Sequence, residues 1–335
     1  MNSVTIGVTT YKNRIKFLNQ SILSILNQTY QNYKIIISND SPEFPISKNS
    51  FNFEIDERIT IINNKKNLGE EKNMNQLLHL AQTPWFTWLA DDDVLHPDFL
   101  ASKMNFLEKN FKNNIVAVYS NFAKKKIINE EEFINKDNYN FDIYKLERFH
   151  SLYLQRKINC IGCYGLLKTE YLKKINGIKK LGDSYGPFSD TMIPLILSKH
   201  GSIAWSPETL SIFREHQDSL SQKADFNAFY SAKIDFIKIY LKNFENIIEN
   251  KKFEKNIFFF NRWFMYSIFQ LLKRDKSKNL FNQLKFIFNF KKNIFYKNLS
   301  NFHSCLIICY ILKLFLKLIS NKFRTKFHIR NTWLK

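Results

Sequence analysis

Thr83-Pro-Trp-Phe-Thr-Trp-Leu-Ala-Asp-Asp-Asp-Val-Leu-His-Pro97 is an apolar run that stops at three consecutive carboxylates. Trp85 to Leu89 are aromatic and β-favouring, which predicts a short buried strand with Asp91, Asp92 and Asp93 at its carboxyl end. Neighbouring carboxylates repel by about a kcal/mol per pair at partly solvated dielectric, so the triad needs a compensating partner. A divalent cation held by one or two of them is the natural candidate. The plainer alternative is an acidic turn in which Asp93 caps a helix starting near His96-Pro97.

Upstream, Val4 to Thr10 predicts a strand, and Lys16 to Asn27 predicts a helix from the spacing of Phe17, Leu18, Ile22, Ile25 and Leu26. Tyr33 to Ser38 reads as a second strand running into Asn39-Asp40-Ser41-Pro42, and Ile59 to Asn63 as a third. Asn67-Leu-Gly69 then turns into a helix over Glu70 to Ala81. Strands alternating with helices predict βαβ units, a parallel sheet covered on both faces, and ligands at the carboxyl ends of the strands. Downstream, a helix is expected over Phe99 to Phe111, a strand over Ile115 to Ser120, extended chain over Arg156 to Leu167, and a helix over Thr191 to His200. Between the lysine run and about Phe149 the pattern supports no assignment. Gly162 and Gly165 are read either as sites of close backbone approach to a ligand or as ordinary turn or bulge glycines.

Composition bounds what such a site can serve. The 335 residues suit one large α/β domain plus an appendage. The 50 Lys and Arg outweigh 30 Asp and Glu, giving a formal net charge of +20. From Lys251 onward there are 19 basic residues and two acids, Glu254 and Asp275, so +17 of that charge belongs to the last 85 residues. Cys160, Cys163, Cys305 and Cys309 are too few and too scattered for a secreted disulfide framework. Cys160 and Cys163 have zinc-knuckle spacing but no second pair follows. The amino terminus has no basic and apolar leader pattern, which predicts no signal peptide. Neither G-x-G-x-x-G nor G-x-x-x-x-G-K-[ST] occurs, so any phosphates must be held another way, by metal.

Thr9-Thr10-Tyr11-Lys12, Ser24-Ile25-Leu26-Asn27-Gln28-Thr29-Tyr30, Ser38-Asn39-Asp40-Ser41, Asn67-Leu-Gly69 with Lys72-Asn73, and the Asp91-Asp92-Asp93 strand end together resemble family 2 glycosyltransferases with the GT-A fold, in the family's order over roughly the first hundred residues. The resemblance implies an α/β GT-A domain over residues 1–222 and places Thr10, Tyr11, Asn39, Asp40, Lys72 and Asp91 around a nucleotide-sugar donor. It implies that Asp92 binds Mn²⁺ or Mg²⁺ on the donor's diphosphate. Asn39 stands where the family usually has an acid facing uracil, so a UDP-sugar is favoured but another base stays open. Lys72, where the family often has Arg, otherwise reads as a solvated helix charge.

The loop ending at Asp190 resembles the family's second acidic motif, which implies that Asp190 is the catalytic base of an inverting transfer. Ser189 replaces the Glu of many members, Asp183 is the fallback base, and N-capping of the next helix is the alternative role for Asp190. Ser206 to Ser221 resembles the family's closing segment, placing Arg214 near the phosphates and His216 on the metal. Residues 223–335 form a helical, basic extension. Its Phe302 to Ile319 stretch fits an amphipathic helix on an anionic membrane surface better than a span.

The resulting expectation is a metal-dependent glycosyltransferase acting on a glycan or glycolipid acceptor in lipopolysaccharide, lipooligosaccharide or capsule synthesis, at the inner face of the cytoplasmic membrane. Two rivals are a non-catalytic, partner-binding subunit, opposed by the intact acids, and a basic nucleic-acid-binding protein. The tail's helical apolar periodicity and lack of an RNA-binding fingerprint argue against nucleic acid.

Overall fold

The computed structural model describes residues 3–126, 141–182, 188–216 and 226–274. The chain forms two compact units, Met1–Ala224 and Asp225–Lys335. The first is built on β1 (Val4–Thr10), β2 (Tyr33–Asn39), β3 (Ile59–Asn63), β4 (Trp85–Ala90), β5 (Val94–Leu95), β6 (Ile115–Lys126), β7 (Asp142–Tyr144), β8 (Leu166–Lys168) and β9 (Ser202–Glu215). Its helices are α1 (Ile15–Leu26), α2 (Glu70–Leu80), α3 (Phe99–Lys109), α4 (Leu146–Leu154), α5 (Thr169–Lys174) and α6 (Ser189–Leu197).

Among the described residues the strands form one sheet in the order β3-β2-β1-β4-β8-β6-β9-β5, with β7 beside β9. The run β3-β2-β1-β4 is parallel, and β8 enters antiparallel between β4 and β6. The expectation of a parallel sheet therefore holds for the first four strands and again for β6 beside β9. The connection from β6 to its parallel neighbour β9 includes α4, α5 and α6, while β5 and β7 run against β9.

β1 alternates Val4, Ile6 and Val8 with Thr5, Gly7 and Thr9, and helices cover both of its faces. Val4, Ile6 and Val8 share a core with Leu18, Ile22 and Ile25 of α1 and with Ile35 and Ile37 of β2. Each such side chain, fully buried, stabilises the fold by about 2 kcal/mol. On the opposite face, a Cβ at Gly7 would lie 2.9 Å from Phe86 Cζ and 3.0 Å from Leu77 Cβ, so the glycine lets α2 pack directly on the strand.

Two expectations are corrected. Arg156 to Leu167 is not a continuous extended segment, because only Leu166–Lys168 joins the sheet. Arg156 turns the chain with φ 63°, and Ile158, Cys160 and Tyr164 are buried on irregular backbone instead. Where no assignment was possible, α4 forms and buries Phe149, Leu152 and Tyr153 on one face.

In the second unit, Phe226–Phe244 and Asn250–Arg274 are helices. They pair through Phe236 stacked on Phe260, with ring centroids 3.9 Å apart, and Tyr240 on Phe253 at 5.6 Å. Among the described residues no helix is long and apolar enough to cross a membrane. Phe302 to Ile319 lies outside the described residues.

Candidate active site

Parallel pairing aligns the carboxyl ends of three strands. Thr10 pairs with Asn39 and Thr9 with Ala90, so the acids that follow β4 emerge beside the ends of β1 and β2. Antiparallel pairing of Val94 with Ile212 brings the end of β9 alongside the same acids.

The three acids have different partners. Asp91 accepts a hydrogen bond from Thr10 Oγ1 at 2.6 Å and lies 3.3 Å from Arg14 Nη1. Burial, and then the Asp92 charge, push its carboxyl up to about 6. Asp92 places Oδ2 2.8 Å from His216 Nε2 and 3.2 Å from Arg14 Nη1. Asp93 is fully buried and accepts hydrogen bonds from the Arg214 backbone N–H at 2.8 Å and from the Tyr164 hydroxyl. Burial raises its pKa well above the usual carboxylate range. Asp93 is thus a tie between three segments and not a helix cap, since α3 starts after Asp98.

Arg214 reaches the same cluster. Its Nε donates to the Asp92 carbonyl, its Nη1 donates to Gln20, and its guanidinium lies 5.3 Å from the centre of the Phe17 ring. Phe17 also stacks on His216 with centroids 5.2 Å apart, fixing the imidazole plane. Thr10, Asp91, Asp92, Arg214 and His216 therefore form one cluster.

Other motif residues build the frame. Gln28 donates from Nε2 to the His96 carbonyl at 2.7 Å and accepts from Leu100 N–H at 2.9 Å. Ser24 Oγ accepts from Leu95 N–H at 3.1 Å. The polar end of α1 thus clamps the loop that follows the triad. Asp40 is buried and accepts from Leu68 N–H at 2.7 Å, Gly69 N–H at 2.9 Å and Asn64 Nδ2 at 2.9 Å, anchoring the turn into α2. Gly69 has φ +83°, a conformation suited to glycine. Asn39 donates to the Phe44 carbonyl at 2.8 Å and to Asn63 Oδ1 at 2.9 Å, and accepts from Ser41 N–H at 3.1 Å. Tyr11 is exposed beyond β1, and Lys72 is exposed on α2.

Asp190 is the second residue of α6. The helix N-cap is Phe188, in the left-handed region at φ 68°, so the capping role considered for Asp190 does not occur. Its Oδ2 instead accepts from Gly162 N–H at 3.2 Å. Surrounding protein raises its pKa, and the Gly162 and Thr191 N–H groups oppose that shift. Gly162 is two residues from Tyr164, so the segment 162–164 links Asp190 to Asp93. A Cβ at Gly162 would lie 1.8 Å from the Asp190 carbonyl oxygen, and one at Gly165 2.4 Å from the Tyr119 ring. Both glycines therefore admit protein groups. Asp183 lies outside the described residues.

Asp92 Oδ2 and His216 Nε2 suit a divalent ion. Their 2.8 Å spacing is close to the roughly 3 Å between adjacent ligands of a small octahedral cation. No cluster of three or more His, Cys, Asp or Glu side chains among the described residues makes a complete cage. Such an ion would take its remaining ligands from a bound diphosphate and water, the usual arrangement for Mg²⁺.

Sequence reading did not single out Arg14, Tyr164 or Glu70. Glu70 opens α2 at the solvent-facing side, yet nearby protein and the Asp190 and Asp92 charges push its carboxyl up to about 7. Only the position of Glu70 beside the Asn67-Leu-Gly69 turn was a local signal. Tyr164 and Arg14 act across 71 and 77 residues, beyond any local pattern.

Residues 5–175 match the family model described as glycosyl transferase family 2. A glycosyltransferase of Haemophilus influenzae is 36% identical over 108 residues, covering 32% of this chain and 33% of that protein. One of Methanocaldococcus jannaschii is 26% identical over 180 residues, covering 53% and 60%. These matches therefore span about a third to three fifths of the relatives' lengths. The Escherichia coli protein WfgD, a UDP-Glc:alpha-D-GlcNAc-diphosphoundecaprenol beta-1,3-glucosyltransferase, is 28% identical over 124 residues, covering 36% of this chain and 44% of WfgD. Among solved structures, S. aureus TarS 1-349 in complex with UDP-GlcNAc aligns over 97% of this chain and 92% of that one, with TM-score 0.61 and 12% identity, sharing the fold.

Proposed function

This chain belongs to glycosyl transferase family 2, and from that premise we propose an inverting, metal-dependent transfer of a sugar from a UDP-sugar to a hydroxyl of a lipid-linked or surface glycan. The observation that carries it is the pairing of Asp92 with His216 beside Asp91, with Asp190 joined to the same cluster through the segment 162–164.

In this reading Asp92 and His216 hold Mn²⁺ or Mg²⁺, which when bound offsets charge on the departing diphosphate. Asp91, oriented by Thr10, faces the ribose. Tyr11 and Lys72 line the nucleotide's approach, while Asn39 and Asp40 shape the base-binding loop and Arg214 supports the phosphate side. Asp190 takes the proton of the acceptor hydroxyl as that oxygen bonds to the anomeric carbon. The bond from that carbon to the diphosphate oxygen breaks, and its electron pair leaves with the nucleotide. A carboxylate with a raised pKa suits this task, because it holds the proton it receives more firmly than an exposed one.

UDP is favoured because WfgD and the TarS complex use UDP-linked sugars by name, and the diphosphoundecaprenol acceptor in WfgD's name supports a lipid-linked acceptor. The basic stretch beyond Lys251 fits attachment to the anionic inner face of a cytoplasmic membrane, where lipopolysaccharide, lipooligosaccharide or capsule precursors are built.

Thermal denaturation with a panel of nucleoside diphosphates, with and without Mn²⁺, tests the proposal. Mn²⁺-dependent stabilisation by one nucleotide, absent in Asp92→Ala, is expected. No shift with any nucleotide would sink it.

A further inference from the structure

Arg14 occupies the site where sequence reading expects a cation. It lies in the loop between β1 and α1, and one guanidinium nitrogen spans Asp91 Oδ1 at 3.3 Å and Asp92 Oδ2 at 3.2 Å. Asp92 Oδ2 is also the oxygen 2.8 Å from His216 Nε2. The two atoms best placed to ligate a metal are therefore already engaged with each other and with a positive charge. This solves the problem posed by adjacent carboxylates with an internal counter-ion.

A divalent ion bound to Asp92 Oδ2 would sit beside that guanidinium, and like charges a few ångströms apart repel strongly in a partly buried site. The side chain of Arg14 is 21% exposed, against 5% and 14% for the two acids, so the arginine has room to leave while they stay. A diphosphate entering with the ion offers the planar guanidinium a pair of oxygens for bidentate hydrogen bonding at the same strand edge.

We infer that Arg14 is a resident counter-cation, which a divalent ion displaces from Asp91 and Asp92 and which then pairs with the donor's diphosphate. The inference rests on the metal-dependent reading above. It makes metal and donor mutually dependent: the ion alone must compete with Arg14, whereas ion and diphosphate together give the arginine a new partner. By linkage, each ligand strengthens the other equally.

Mn²⁺ titrations followed by electron paramagnetic resonance, with and without UDP, test this on the full chain and on Arg14→Gln and Arg14→Lys. Without UDP, Arg14→Gln should bind Mn²⁺ about tenfold more tightly than wild type, the size expected for losing a partly buried competing charge. The gain in Mn²⁺ affinity on adding UDP should shrink by a similar factor, and Arg14→Lys should stay near wild type in both. Unchanged or weaker Mn²⁺ binding by Arg14→Gln without UDP would overturn the inference while leaving the metal reading intact. UDP binding that ignores Mn²⁺ and vanishes in Arg14→Gln would show that the arginine replaces the metal, which also overturns it. Absence of Mn²⁺ binding by wild type with UDP would overturn the metal reading itself. Side-chain ¹⁵N spectra of the wild type cover a misfolded variant. The Arg14 Nε–Hε signal, assigned by its loss in Arg14→Lys, should move on adding Mg²⁺ and UDP, and a static signal refutes displacement.

Discussion

Gly162→Ala adds one methyl group where the structure leaves no room for it. Its carbon would lie 1.8 Å from the Asp190 carbonyl oxygen, 2.6 Å from the Asp190 carbonyl carbon and 3.1 Å from Pro194 Cδ. Two of these obstacles are backbone atoms of one residue, so no rotamer change relieves the contact. Reaching even a tight non-bonded separation requires the two backbones to part by more than about 1 Å. Overpacking against backbone costs about 3 kcal/mol, at the upper end for an added methyl group. For a unit of this size that is roughly 6–12 °C in Tm. The same movement pulls Gly162 N–H away from Asp190 Oδ2, now 3.2 Å distant, and shifts the carboxylate proposed to take the acceptor's proton. A misplacement of about 1 Å costs on the order of a hundredfold in rate. The assay is release of nucleoside diphosphate from the sugar donor well below the variant's Tm, with kcat and KM measured separately. Kcat should fall about a hundredfold while donor KM changes little, because Asp91, Asp92 and His216 are untouched. Gly7→Ala is the control, since its methyl would press on Phe86 and Leu77, away from Asp190. It should lower Tm with little effect on kcat. If Gly162→Ala loses stability but keeps wild-type kcat, the contact does not position the base and the reasoning fails.

Gln28→Ala should cost about 1–3 kcal/mol in urea unfolding, because it leaves the buried Leu100 N–H without its acceptor while the His96 carbonyl keeps the Phe99 N–H, and an equal loss in exposed Asn27→Ala would contradict the clamp. Tyr164→Phe removes a donor to buried Asp93 and should cost about 2 kcal/mol while Mn²⁺-dependent UDP binding persists, whereas metal loss matching Asp92→Ala would make Asp93 a ligand. Asp190 works as a base only when deprotonated, and its pKa is raised, so kcat/KM should fall with decreasing pH above the ordinary carboxylate range. Glu70→Gln removes the neighbouring negative charge and should move that acid limb to lower pH, and an unmoved limb would show that the two carboxylates do not interact. The stability sign is opposite. Glu70 is raised in the fold to about 7 from an ordinary 4.5, so its contribution is complete below about 4.5 and is lost as pH rises toward 7, a loss Glu70→Gln abolishes.

The first four strands were legible because a doubly covered parallel strand writes its own pattern. Val4, Ile6 and Val8 are apolar whatever lies far along the chain, and polar residues mark where each strand leaves the sheet. The later half was less legible because β8 is three residues long and its neighbours are joined by irregular chain whose buried residues, Ile158 and Tyr164, resemble strand residues. The acidic cluster was visible as a cluster, but its internal division was not. Three identical side chains in a row carry no local difference. The difference arises from what other segments bring: Thr10 and Arg14 to Asp91, Arg14 and His216 to Asp92, Arg214 and Tyr164 to Asp93. The register of β9 controls part of this. With Val94 opposite Ile212, Arg214 falls opposite Asp92, so its side chain and backbone reach the second and third acids together. A slip of one residue would turn Arg214 to the other face of the sheet and remove His216 from Asp92. The bonds on Asp93 oppose that slip, because a buried carboxyl stripped of both donors is costly. The acid least suited to touch a ligand therefore sets the register that gives the other two their partners.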